Sequence, residues 1–125
     1  MYFPFWQDFI IEGTEDDVGL WEIICEIERE NPNIEAEAIQ EIALDLIREI
    51  LETELMAIGM FEFVDGKNLE YQIWQLDIDR IIDRLKTEWD ELGRVPNIGD
   101  IAWLITTPKG EDEAKRILEE RQKLN

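Results

Sequence analysis

Ile34-Glu35-Ala36-Glu37-Ala38-Ile39-Gln40-Glu41-Ile42-Ala43-Leu44-Asp45-Leu46-Ile47-Arg48-Glu49-Ile50-Leu51-Glu52-Thr53-Glu54 is the stretch that decides the fold. Ile39, Ile42, Ala43, Leu46, Ile47, Ile50 and Leu51 recur at helical spacing and make one apolar stripe. The spacing predicts a long helix from near Ile34 to about Glu54. Glu37, Gln40, Glu41, Asp45, Arg48, Glu49 and Glu52 fall on its other faces. That exposed side is anionic apart from Arg48.

Upstream, Leu20, Ile23, Ile24 and Ile27 form a second stripe, predicting a helix from about Asp17 to Glu30. Thr14-Glu15-Asp16-Asp17 offers a cap and negative charge for its positive end. Asn31-Pro32-Asn33 stops it, because the residue before proline avoids helical geometry. Downstream, Met60 to Val64 and Leu69 to Trp74 alternate about Asp65-Gly66, a hairpin pattern. Ile78, Ile81, Ile82, Leu85 and Trp89 predict a helix over 78–92, with Asp77 as N-cap and Gly93 as its left-handed terminator. Residues 95–100 read as a loop and 101–106 as a short strand. Thr107 and Pro108 then open a last helix whose inner face is Ala114, Ile117 and Leu118.

Residues 1–13 form an apolar arm containing Tyr2, Phe3, Phe5, Trp6, Phe9, Ile10 and Ile11. Pro4 argues for an extended segment, packed on the domain or docked on a partner or second subunit. So much aromatic surface must be covered. Residues 14–118 are expected to form the core, and 119–125 to fray. The chain of 125 residues therefore reads as one domain, mainly α in an α+β sense, with a small antiparallel sheet.

Two stretches carry a resemblance. Ile47 to Gly59 looks like the end of a winged-helix third helix running into a wing strand. Ala102-Trp103-Leu104-Ile105-Thr106-Thr107-Pro108-Lys109-Gly110 is similar to the second wing strand and turn of PadR-like and MarR-like regulators. About half the chain is covered. The resemblance implies a winged-helix-like domain and, in its ordinary form, a transcriptional regulator. Here the surface of the recognition helix would be Glu37, Gln40, Glu41, Asp45 and Glu49, in place of the basic and amide groups that enter a major groove. The helix at 78–92 also interrupts the wing.

Composition narrows function further. The chain holds 31 acidic and 12 basic residues, a net charge of −19, with neither histidine nor serine. Residues 1–62 carry 17 acidic residues against Arg29 and Arg48, a net −15, while residues 63–125 carry −4. Such a field repels phosphate backbones and speeds encounter with basic partners. Ser-His-Asp and Cys-His catalytic arrangements and Cys/His zinc sites cannot be built. No glycine-rich phosphate loop occurs. Carboxylate pairs such as Asp79 and Asp83, or the cluster Glu15-Asp16-Asp17, are expected by chance among so many acids. Asp77 reads as a helix cap and not as a calcium ligand. The single Cys25, in an apolar run flanked by glutamates, is expected to be a buried, inert thiol. Trp21, Trp89 and Trp103 are expected in the core, and Trp6 and Trp74 as potential interface anchors.

These features predict a non-enzymatic acidic interaction protein without cofactor or metal. It would be an adaptor, inhibitor or immunity-type protein that binds a basic protein, by analogy of charge and size with toxin-neutralising and DNA-mimic proteins. The residues expected to meet the partner are Glu37, Glu41, Asp45, Glu49 and Glu52, with Phe5, Trp6 and Phe9 in the aromatic arm, which would also serve any homo-oligomer. Neither nucleic acid nor membrane is expected as a partner. With no basic leader or apolar span, a cytoplasmic location is expected. The alternative is a winged-helix regulator with atypical DNA contacts from Lys109, Lys115, Arg116, Arg121 and Lys123.

Overall fold

The computed structural model describes residues 6–124. In chain order the elements are α1 (Trp6–Glu12), β1 (Val18–Gly19), α2 (Leu20–Glu30), α3 (Ala36–Glu52), β2 (Met56–Phe63), β3 (Leu69–Ile73), α4 (Ile78–Leu92), β4 (Trp103–Thr106) and α5 (Pro108–Lys123). The fold is mainly helical, with a four-stranded antiparallel sheet in the order β1-β4-β2-β3.

The long helix forms for the reason its spacing gives. Ile39, Ala43, Leu46, Ile47, Ile50 and Leu51 are buried together with Leu20, Ile23, Ile24 and Ile27 of α2. The inner face of the sheet supplies Met56, Ile58 and Leu104 to the same core. Two helix ends match their expected chemistry closely. The Asp77 carboxylate accepts from the Arg80 amide at 2.9 Å, and Gly93 closes α4 at φ +73°. Thr107 Oγ1 accepts from the Gly110 amide at 3.1 Å, with Pro108 opening α5.

Several boundaries differ from expectation. Residues 18–19 are not helical: Val18 and Gly19 pair with Leu104 and Trp103, and the Leu20 amide donates to the Ala102 carbonyl at 3.1 Å. A side chain at Gly19 would meet the Trp21 ring at 2.6 Å, so glycine permits this close strand-to-helix corner. Glu22 reaches back to accept from the Gly19 amide at 2.8 Å, placing a carboxylate at the positive end of α2. Thr14 instead donates to the Ile11 carbonyl at 2.7 Å, closing α1. β4 begins at Trp103 because Ile101 sits at φ +67° and the Ala102 amide donates to the Asp100 carbonyl, which takes Ile101 and the Ala102 N–H out of the ladder.

The apolar arm is corrected more substantially. From Trp6 it is a helix, not an extended segment; Pro4 restricts only the residue before it, and the helix starts beyond. α1 packs on α5 and β4. Thr106 Oγ1 donates to the Ile10 carbonyl at 2.6 Å, and Arg121 pairs with Asp8 at 2.9 Å. That ion pair, with Arg116 bridging Glu113 and Glu120, accompanies α5 out to Lys123, where fraying was expected.

Candidate interaction surface

α3 lies with one flank against α2 and another against α4. Its remaining face is the one that the apolar stripe leaves outward. Glu37, Glu41, Asp45, Glu49 and Glu52 are all exposed there. They follow one another at intervals of four and three residues, so their carboxylates line one ridge. Glu37, Glu41, Asp45 and Glu52 are in no ion pair among the described residues.

The one base of α3 points to the flank. Arg48 Nη1 meets Asp79 Oδ1 of α4 at 2.7 Å, and Gln40 Nε2 meets Asp90 Oδ1 at 2.9 Å. The hydrogen bond and charge of Asp79, and after them the fields of Glu52 and Asp45, raise the Arg48 guanidinium above its usual value. Asp90 is lowered by its hydrogen bonds from Gln40 and Lys86. A cleft of about 240 Å³ opens beside Glu37, between the start of α3 and the end of α4, lined by Gln40, Trp89 and Arg94 among others.

Of the aromatic residues expected to meet a partner, the two whose side chains are described, Phe9 and Trp74, are buried. Phe9 is 4 % exposed and lies in the core beside Ile10. Phe5 and the Trp6 side chain fall outside the described residues. Trp74 is also buried, with the Arg84 guanidinium 3.9 Å above its ring, a cation–π contact that covers it. Trp89 is in the core as expected, whereas Trp21 and Trp103 are half-buried.

Cys25 is exposed, contrary to expectation, because it falls on the outward side of α2. Partial desolvation and then Glu28 push its thiol up, keeping it protonated and a poor nucleophile. A second acidic feature was missed in the sequence. Glu12 of α1 and Glu22 of α2 share a hydrogen bond. Desolvation first, and then that bond and the Glu22 charge, push the Glu12 carboxyl up to about 7. Nothing in the spacing of residues ten apart announces this meeting, which depends on how α1 packs. Among the described residues no group of three or more His, Cys, Asp or Glu side chains could hold a metal ion. No helix among them is long and apolar enough to cross a membrane. Compared with protein families, curated proteins and solved structures, the chain matches none.

Proposed function

We propose that this chain is a non-enzymatic acidic interaction protein that binds a basic protein through the outward carboxylates of α3, as an adaptor, inhibitor or immunity-type protein does. One observation carries the proposal: Glu37, Glu41, Asp45 and Glu52 stand exposed in a row without an ion-paired base, while Arg48 is spent on Asp79. Like charges four residues apart cost a helix a few tenths of a kcal/mol per pair. A mixed row would give equal solubility without that cost, so a row of one sign fits a cationic surface. A cytoplasmic setting suits a chain whose lone cysteine calls for no oxidising compartment.

A winged-helix-like arrangement is supported by the order of elements. β1 follows a first helix, α2 and α3 come next, and β4 lies between β1 and β2. β3 and α4 then stand where a wing would. α4 covers one flank of α3, and the rest of that helix presents carboxylates, an arrangement that repels phosphate. The competing reading, a DNA-binding regulator, would need the bases of α5 and its N-terminal turn. Of these, Lys109 pairs with Glu54, Arg116 with Glu113 and Glu120, and Arg121 with Asp8. Duplex DNA is therefore expected to bind no tighter than the non-specific range of ~10⁻⁴ M.

The test is differential capture of basic proteins. A chain with Glu37→Lys, Glu41→Lys and Asp45→Lys should lose whatever the unaltered chain retains. A control with Glu15→Lys, Asp16→Lys and Asp17→Lys carries the same net charge and should keep it. Equal loss in both would reduce the effect to bulk charge and reject the proposed face.

A further inference from the structure

Among the described residues the sheet ends on β3, an edge strand with no lysine, proline or bulge. β3 pairs with β2 alone among the described strands, and the ladder from Gly59–Ile73 to Phe63–Leu69 runs without a bulge. Edge strands are usually protected by lysine, proline, bulges or a covering element, because their free N–H and C=O groups template further pairing. β3, Leu69-Glu70-Tyr71-Gln72-Ile73, has none of the first three. Leu69 is 55 % and Ile73 49 % exposed, and Phe63 across the hairpin is 68 % exposed.

The hydrogen bonding shows which groups are free to pair. The Val64 amide donates to the Asn68 carbonyl at 3.1 Å and the Trp74 amide to the Ile58 carbonyl at 3.0 Å. Even-numbered residues of β3 therefore turn their backbone groups toward β2. By alternation, Leu69, Tyr71 and Ile73 turn theirs to the open edge.

We propose that this edge is the docking site for a second copy of the chain, paired antiparallel about a two-fold axis at Tyr71. The strand is complementary to itself in that register. Tyr71 faces Tyr71, Leu69 faces Ile73 of the second copy, and Glu70 faces Gln72 of the second copy. Every outward N–H and C=O gains a partner, and the apolar outer row continues across the joint. A register centred on Glu70 would set carboxylate against carboxylate, which is unfavourable between directly opposed residues. Two-fold pairing of this kind is the commonest way for a chain to close on itself.

The joint is small. A strand edge alone buries less than the ~1,000 Å² of a lasting interface, so the dimer is transient and forms at roughly micromolar concentrations or above. Its charge response differs from that of the α3 face. Two chains of −19 repel, so added salt strengthens self-association, whereas it weakens a contact between carboxylates and a basic partner. The two surfaces are thus tested independently.

Sedimentation velocity from micromolar to millimolar concentration should show reversible dimerisation that tightens with salt. Gln72→Lys should tighten it and Gln72→Glu weaken it, each about fivefold to tenfold, since each dimer contains the Glu70–Gln72 pair twice. Gln122→Lys and Gln122→Glu on exposed α5 make the same change in net charge and should shift it far less. In the unaltered protein, amide resonances of Leu69, Tyr71 and Ile73 should broaden as concentration rises, a readout that needs no variant to fold. A monomer at all concentrations, Gln72 variants that merely track the Gln122 controls, or broadening centred elsewhere would overturn the proposal. So would perturbation of β3 only on adding a basic protein, which would assign the edge to that partner.

Discussion

Arg48 and Asp79 meet at 2.7 Å, and this contact turns the single base of α3 away from its own acidic row and onto α4. Both side chains are exposed, so water screens the pair and it adds little to stability. Its consequence is electrostatic: the α3 face is left one sign. Replacing Arg48 by alanine should leave the urea midpoint nearly unchanged and speed association with a cationic protein at low salt.

Glu41 sits four residues from both Glu37 and Asp45. Glu41→Lys replaces two like-charge neighbours with two opposite ones, and the exposed position involves no core contact. Thermal or urea denaturation should show a gain of about 0.5 kcal/mol. Binding to a basic protein should weaken in the same variant. A surface kept acidic against its own helical stability is what the proposed function requires.

Desolvation of the Glu12 carboxyl, and then its contact with Glu22, makes stability depend on pH in a definite direction. The folded carboxyl of Glu12, at about 7, lies above its ordinary 4.5, so the folded chain holds a proton that the unfolded chain releases. Stability from this group is present below about 4.5 and is lost as pH rises toward 7 and beyond. Glu12→Gln keeps the neutral form at all pH. The variant and the unaltered protein should melt alike near pH 4.5, and the variant should be the more stable at pH 8. Glu12 is exposed, so water screens part of the effect and the gap should be on the order of 1 kcal/mol. Parallel melting curves across that range would contradict the shared proton.

Gly59 is held by a close backbone approach. A β-carbon there would stand 2.0 Å from the Gln72 carbonyl oxygen, a main-chain atom that cannot move without unpairing β3 from β2. Gly59→Ala should destabilise the protein by about 3 kcal/mol, measured by denaturation. Loss of hairpin amide protection should accompany it.

The parts legible in the sequence were those governed by local chemistry. The stripes of α2, α3 and α4, the Asp77, Gly93 and Thr107 ends, and the alternating hairpin depend on neighbours within a few residues. What stayed hidden depends on packing between distant segments. Val18 and Gly19 form a strand only because β4 lies beside them. The arm becomes α1 because β4 and α5 receive Phe9 and Ile10. Trp74 is buried because Arg84 lies across its ring. The outward position of the α3 carboxylates followed from periodicity, whereas the turn of Arg48 toward Asp79 required α4 in place.

Residue-resolved titration tests the central claim most directly. A ¹⁵N-labelled chain would be titrated with a short lysine- and arginine-rich peptide at increasing salt, following every amide. Shifts should concentrate at Glu37, Glu41, Asp45, Glu49 and Glu52 and on the neighbouring start of α3, and they should fade as salt rises. Shifts spread evenly over the acidic residues, or centred on Glu15, Asp16 and Asp17, would contradict that claim.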